Sequence, residues 1–325
     1  MTYDHAILGA SVAVIIVTWN STKFIADVLS CLDKQLYKPT RVIIIDNGSE
    51  DFLDLQKIIT PTFDYVELIS LQKNIGFAAA NNIGIKLCKN MELIALLNPD
   101  AFPEPQWLKE MVAAIERYPD FSFFSSRQMQ LGNRILDGAG DGMSICGKPY
   151  RRAYGEELNA KYLTDTAVFG ACAAAAVYKV GALKETGGFD EDFFCYVEDV
   201  DLSFRMQLMG HRCMYVADAV VTHVGSASLG KRSDFAVFHG QRNMVICFFK
   251  NMPILALIWL IPFHILANIF FLCASVFLGK FGLVFRAKRE AIKSLWTISE
   301  KRKIIQKNRK ISYVRIFSML RFSFP

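Results

Sequence analysis

Val12-Ala13-Val14-Ile15-Ile16-Val17 and Arg41-Val42-Ile43-Ile44-Ile45-Asp46 are the two stretches that decide the fold. Both are short, rich in β-branched residues and free of polar alternation. Each reads as a strand buried on both faces, the kind a parallel sheet uses. Working outward, helical spacing covers 23–36, 78–88 and 107–118, and further strands are expected at 66–70, 93–97 and 121–125. Alternating strands and helices make an α/β architecture with helices on both faces, and a ligand then sits off the carboxyl ends of the strands. Asn20, Asp46-Asn47 and Asn98-Pro99-Asp100 all fall at such ends. Later in the chain, 131–162 reads as loops or a small hairpin layer, 200–209 as a helix, and 213–216 and 220–223 as two strands.

The chain has 325 residues, 52% of them apolar, enough for one large domain or a domain with an appendage. Its net charge of +6 is unevenly spread: 280–325 holds 13 Lys and Arg against two acids, a net +11, which leaves −5 on the rest. Such a tail suits a polyanionic partner, and a membrane surface is expected rather than nucleic acid. The preceding segment, 254–278, has no formal charge and is long enough to cross a hydrocarbon layer of ~30 Å. The eight cysteines are scattered with no CxxC spacing, which argues against a zinc ribbon or a disulfide framework and fits a reducing compartment. The N-terminus has Asp4 and no basic n-region, so it does not read as a signal peptide.

Several short motifs carry chemistry. Asp46-Asn47-Gly48-Ser49 puts a carboxylate where it can accept from a base imide or a ribose hydroxyl, although these residues are also ordinary turn formers. Asn74-Ile75-Gly76-Phe77, with Asn82 further on, opens a helix whose free N–H groups suit a phosphate; a plain helix cap explains it equally. Asp100 follows an apolar strand and suits a hard divalent cation, although Pro99-Asp100 is equally an ordinary turn. No GxGxxG or GxxxxGK[ST] is present. The strongest local signal is 187–205, where six acids lie within 12 residues among Phe193, Phe194 and Tyr196. Glu198, Asp199 and Asp201 open a helix, which favours negative charge there. Acids set among aromatic side chains are costly unless compensated, and such an acid is well placed to act as a general base. His223 ends a strand and taken alone reads as structural; Arg242 offers a guanidinium for a diphosphate but taken alone reads as a surface arginine on a helix. The 138–141 and 170–172 segments are expected to shape an acceptor side.

In order, Thr18-Trp19-Asn20, Asp46-Asn47-Gly48-Ser49, Asn74-x-Gly76, Asn82, Asn98-Pro99-Asp100, Gly188-Phe189-Asp190, Glu198-Asp199-x-Asp201-x3-Arg205 and Arg242-Asn243 resemble glycosyltransferase family 2. The branch they resemble contains the rhamnosyltransferase-like enzymes of bacterial surface-polysaccharide assembly. The resemblance implies a GT-A fold over 1–250, a mostly parallel mixed sheet with flanking helices; beyond it, the apolar and basic residues of 251–325 read as a membrane-associated helical region. It implies an inverting, metal-dependent transfer of a sugar from a nucleotide-diphosphate donor, with Mg²⁺ or Mn²⁺. Asp199, with Glu198 beside it, would supply the base. Thr18, Asn20, Asp46, Asn47, Ser49, Asn74, Gly76, Asn82, Asn98, Asp100 and Arg242 would line the donor, and Asp100 and His223 would hold the metal. Asn98 stands where many relatives have the first acid of a DxD motif, which is a weaker, neutral ligand.

The donor expected is dTDP-L-rhamnose, with UDP-hexose, UDP-galactofuranose or GDP-mannose as alternatives. The acceptor expected is a polyprenyl-diphosphate-linked glycan or a polysaccharide. Nucleotide sugars are cytosolic, so the expected place is the cytoplasmic face of a bacterial inner membrane. One crossing by 254–278 would put the basic tail outside, against the positive-inside tendency, and Pro262, His264 and Asn268 interrupt the segment. A re-entrant or interfacial element is therefore expected, with the tail on anionic lipid. Two rival readings remain: a sugar-1-phosphate nucleotidyltransferase, which would want a Gly-rich loop where Trp19-Asn20 stands, and a non-catalytic membrane-associated scaffold.

Overall fold

The computed structural model describes residues 9–132, 134–225 and 233–323; Asp4 and its neighbours lie outside the described residues. The first half runs β1 (Val12–Thr18), α1 (Thr22–Asp33), β2 (Arg41–Asp46), α2 (Phe52–Thr62), β3 (Val66–Ser70), α3 (Phe77–Leu87) and β4 (Leu93–Leu97). Then come β5 (Ala101–Pro103), α4 (Trp107–Arg117), β6 (Phe123–Gln130), β7 (Leu136–Gly138), β8 (Asp141–Ser144) and β9 (Pro149–Arg151). The remainder is β10 (Thr166–Val168), β11 (Ala175–Lys179), α5 (Val180–Thr186), α6 (Glu198–Leu208), β12 (Cys213–His223), α7 (Asp234–Asn251), α8 (Ile254–Phe277), α9 (Phe281–Lys307), α10 (Tyr313–Met319) and β13 (Leu320–Arg321).

The main sheet has the order β10-β12-β6-β11-β4-β1-β2-β3, with β5 on β12 and β7 on β6. Strands β4, β1, β2 and β3 are mutually parallel, as their apolar runs require. β11 lies antiparallel between β4 and β6, so the sheet is the mixed one that the resemblance implied. All seven residues of β1 are buried. Val12, Val14 and Ile16 pack with α1 and α4, while Ala13, Ile15 and Val17 pack on the opposite face with α3 and α5. Gly84 of α3 lies so close that an added Cβ would come within 2.7 Å of Ile15 Cγ2.

Three elements differ from the sequence reading. Helix α2 was not expected, because only Leu55 and Ile59 of its apolar residues are deeply buried and Pro61 falls near its end. β6 runs on through Ser125, Ser126 and Gln128, which are polar yet buried; Trp107 Nε1 donates to Ser126 Oγ at 2.8 Å. The two strands expected at 213–216 and 220–223 are one strand, β12, with a register shift between Val216 and Val220.

The core does not part at residue 250. One cluster joins Met143, Phe193, Phe204 and Phe248 with Ala256, Leu260, Ala291, Ile298, Ile316 and Leu320. β13 pairs with β8, so the end of the chain completes the small β8–β9 sheet. Helix α8 turns Ala256, Leu260, His264 and Ala267 inward. His264 stacks on Phe248 at 4.0 Å, and its Nδ1 lies 2.8 Å from the Cys146 carbonyl. Much of the rest of α8 is bare and apolar, Trp259 and Phe277 most of all. Helix α9 buries Val284, Ala287, Ala291 and Ile298 but leaves a second apolar stripe, Phe281, Phe285, Ile292 and Trp296, in solvent.

Candidate active site

The carboxyl ends of β1, β2 and β4 form the floor. Thr18 and Asp46 are register partners on β1 and β2, and both are buried. Thr18 Oγ1 and Asp46 Oδ1 have no hydrogen-bond partner among the described residues, although buried polar atoms are nearly always paired. Asp46 Oδ2 accepts from the Ser49 amide at 3.2 Å. Asn20 sits at φ +50°, and its Oδ1 accepts from the Glu50 amide while its own amide donates to Ser49 Oγ. Asn47 binds across to the next loop: its Nδ2 donates to Asn74 Oδ1 at 3.0 Å, and its Oδ1 accepts from the Ile75 amide. Asn74 is therefore a loop clasp rather than a helix cap, and Gly76, at φ +93°, occupies the cap position of α3. Glycine is needed there, since a Cβ would meet Phe194 at 2.7 Å. The Asn82 amide holds the 188–191 loop, donating to the Phe189 carbonyl and to Glu191 and accepting from the Phe189 amide.

At the end of β4, the Asn98 amide is bonded to the Ala174 carbonyl, and β5 then brings Asp100 alongside the end of β12. Asp100 Oδ1 lies 3.4 Å from His223 Nε2. His223 Nδ1 is held by Asp137 at 2.8 Å. Burial alone would lower the imidazole pKa, but hydrogen bonds to Asp100 and Asp137 outweigh it and the pKa is raised. A carboxylate behind a histidine, leaving the other ring nitrogen beside an aspartate, is how proteins orient an imidazole for a metal. The Asp100–His223 pair thus fits a divalent cation with oxygen and imidazole ligands.

The sequence cluster of acids splits into two groups. Asp190 and Asp201 are neutralised: Lys250, buried at 1% exposure, lies 2.5 Å from Asp190 and 2.7 Å from Asp201. Lys301 of α9 also binds Asp190 and Asp192, and Arg205 binds Asp201 at 2.9 Å. Glu198 and Asp199 have no cation partner among the described residues. Burial first, and Asp199 second, push the Glu198 carboxyl well above the usual carboxylate range. Asp199 Oδ2 accepts from the Ala173 amide at 3.2 Å, and Oδ1 from the Val200 amide.

The loop before this pair is strained. Phe194, Tyr196 and Val197 all have positive φ, 62° to 69°. Such conformations cost roughly 1–3 kcal/mol each outside glycine. Asn243, fully buried on α7, opposes that strain: its Nδ2 lies 2.8–2.9 Å from the carbonyls of Phe193, Cys195 and Tyr196. Arg242 Nη1 donates to the Asp192 carbonyl and to Asn243 Oδ1, so the guanidinium is tied to the same loop, with no carboxylate partner among the described residues.

Two residues absent from the sequence reading join the halves. Arg151 of β9 binds Asp137 at 2.5 Å, approaches Asp141 at 3.8 Å, and donates from Nη2 to Cys172 Sγ at 2.8 Å. Asp141, Cys172 and Asp199 have ligand atoms within 4.8 Å of one another. Contacts therefore run from Asp100 through His223, Asp137 and Arg151 to Asp141, which lies beside Asp199. Asp137 and Arg151 left no motif because each acts through a partner far away in sequence. Asp141 is pushed up to about 8, by burial first and then by Asp199, against the pull of Arg151. Burial likewise holds the Cys172 thiol well above its ordinary value. Cys172 Sγ is already bonded to the Arg151 guanidinium, so a cation of the chain itself stands against this trio.

The sequence of this chain matches the glycosyl transferase family 2 model over residues 13–187, more than half its length. The chain belongs to glycosyltransferase family 2. It is a glycosyltransferase that takes a nucleotide-sugar donor. Among curated relatives of this family 2 member, an N-acetylglucosaminyl-diphospho-decaprenol L-rhamnosyltransferase of Mycobacterium tuberculosis is 27% identical over 242 residues, 67% of this chain and 77% of that protein. Hyaluronan synthase of Pasteurella multocida is 25% identical over 62% of this chain but only 23% of its own length. Among solved structures, GalNAc-T7 with UDP, GalNAc and Mn²⁺ superposes with a TM-score of 0.60 at 15% identity, over 74% of this chain and 48% of that one. S. aureus TarS 1–349 with UDP-GlcNAc gives 0.51 at 17% identity, over 74% and 67%. Those likenesses establish a shared GT-A-type fold.

Two outcomes follow from the charges. Lys250→Met keeps the stem but leaves two buried carboxylates short of a cation, so urea unfolding should show a loss of roughly 3–5 kcal/mol. Asp141 has a folded pKa of about 8, above its ordinary value of 3.8, so the folded state binds the extra proton and stability falls as pH rises through that window. With EDTA present, Asp141→Asn should melt above wild type at pH 8, and the difference should vanish towards pH 4 when Tm is followed by circular dichroism.

Proposed function

We propose that this family 2 enzyme is inverting and metal-dependent, and that it glycosylates a hydroxyl of a lipid-linked or polysaccharide acceptor in surface-glycan assembly. The observation that carries the reading is Asp199: in a cluster whose other aspartates meet lysine or arginine, it alone is held by backbone amides and left without a cation. Such a carboxylate can take a proton from an acceptor hydroxyl as that oxygen attacks the anomeric carbon opposite the leaving group. Glu198 beside it favours its protonated form and keeps a second negative charge away from Asp199. Asp100 and His223 would hold Mg²⁺ or Mn²⁺, which supplies positive charge to a departing diphosphate. Asp137 keeps His223 turned towards Asp100.

On the donor side, the unpaired Thr18 Oγ1 and Asp46 Oδ1 suit the nucleoside. Asn20, Asn47, Ser49, Asn74, Gly76 and Asn82 shape the loops around it, and Asn98 and Arg242 lie towards the diphosphate. The mycobacterial relative, an L-rhamnosyltransferase named for an N-acetylglucosaminyl-diphospho-decaprenol, supports L-rhamnose as the sugar and a polyprenyl-diphosphate-linked glycan as the acceptor. The bare face of α8 and the basic α9 support attachment to the cytoplasmic leaflet. Packing of His264 against Cys146 and Phe248 favours an in-plane helix over a crossing, since a crossing would draw the catalytic body into the bilayer.

Purified protein incubated with a panel of nucleotide sugars should release nucleoside diphosphate only with metal, and dTDP-rhamnose should lead the panel. Asp199→Asn should lower transfer at least 10³-fold while donor affinity stays within about twofold; near-normal turnover would remove the base assignment. In inside-out and right-side-out vesicles, thiol labelling of a cysteine introduced at Ser299 should occur only from the cytoplasmic side. Labelling from the periplasmic side would sink the in-plane reading.

A further inference from the structure

Helix α7 presents Phe235, Phe238, His239 and Arg242 at i, i+3, i+4 and i+7, one face over two turns. None of the four is fully buried. The rings are continuous: Phe235 lies 4.4 Å from His239, and Phe238 5.3 Å from it. The inner end of this face meets the catalytic loop, where Phe194 stacks on His239 at 5.4 Å and Tyr196 approaches Phe235 at 6.2 Å. Phe194 in turn closes on Gly76 at the donor loop. Burial first, and Arg242 second, hold His239 down to about 4, so its ring is neutral and part of the apolar surface.

The outer end of the face meets α9. Arg286 lies over the Phe238 ring at 5.1 Å, and Lys288 donates to the Gln241 carbonyl. Lys280 pairs with Asp234, the first residue of α7, at 3.0 Å. That ion pair brings the bare α8–α9 turn to the head of α7, with Phe277 91% and Leu278 70% exposed. From Phe277, the most exposed large apolar side chain among the described residues, to the catalytic loop is thus one helix face, aromatic along its length, with Arg286 and Lys288 at its margin, the Lys288 ammonium lowered by burial to about 7.

We infer that this face of α7 binds the isoprenoid-diphosphate portion of a lipid-linked acceptor. The chain lies along Phe238, Phe235 and His239, and the phosphates meet the cations beside them. An apolar track with cations at its margins matches an isoprenoid diphosphate better than a soluble glycan, which would call for hydrogen-bonding side chains. The inference rests on the lipid-linked reading of the acceptor above.

Farnesyl diphosphate is a soluble probe of the track. Its binding to the full chain, measured by calorimetry in EDTA, needs neither metal nor turnover, so it stands apart from the donor-hydrolysis assay that tests the chemistry. Wild type should bind it, and Phe238→Ala and Arg286→Glu should each weaken binding at least tenfold with unchanged Tm. Farnesol and inorganic diphosphate should each bind at least tenfold more weakly, and nucleoside diphosphate should not displace the probe. Equal binding by wild type and both variants overturns the inference, as does displacement by nucleoside diphosphate, which would put the probe in the donor site. Farnesol binding as tightly as the diphosphate overturns the role of the cations. If the variants lose only their binding to anionic vesicles, the face is a bilayer contact and the acceptor track is wrong.

Discussion

Lys250 is enclosed between Asp190 and Asp201, and most of the active site depends on that enclosure. An ammonium out of water is tolerable only with close carboxylates, and those carboxylates only with it. Asp190 opens the loop before α6, Asp201 lies in the first turn of α6, and Lys250 lies near the end of α7. One ion therefore ties together the three pieces that carry Asp199. Around it, Phe193 receives the ammonium on its ring face at 4.7 Å, and Asn251 donates to Asp201 at 2.7 Å. With loop and helix clamped at both ends, the positive φ at Phe194, Tyr196 and Val197 can be held, and Asn243 secures the carbonyls between.

The same clamp extends into the C-terminal region. Lys301 of α9 binds Asp190 and Asp192, and Arg302 donates to the carbonyls of Phe249 and Met252. β13 lies along β8, whose first residue is Asp141. The basic tail is thus a wall of the catalytic body, and its apolar stripe points away from that body. Where the loop before α6 meets α7, aromatic side chains replace charges, which gives the candidate site a polar half and an apolar margin.

Much of the fold could be read from local pattern. β1, β2 and β4 were legible because a doubly covered strand leaves an unbroken apolar run. Helix α2 was not, because it buries only one side of two turns and carries Pro61. The extent of β6 was hidden by Ser125, Ser126 and Gln128, polar residues whose burial depends on partners such as Trp107. In the site, Asp46, Asp100, Glu198, Asp199 and His223 stood in recognisable motifs. Asp137 and Arg151 did not, since their meaning lies in contacts to His223, Asp141 and Cys172 that span the small sheet.

The sequence by itself determined the alternating α/β order, the polar strand ends, the acidic loop, the family and the charge asymmetry of the tail. Each of these is a property of neighbouring residues or of an ordered set of motifs. Tertiary structure alone decided which acids of the loop are neutralised and which are left unpaired. It also decided that β11 runs antiparallel, that the tail is bound into the core, and that α7 lines up its rings between the catalytic loop and the bare turn. The reason is physical: a carboxylate's charge state and a ring's neighbours are set by groups within a few ångströms, and folding draws those groups from distant parts of the chain.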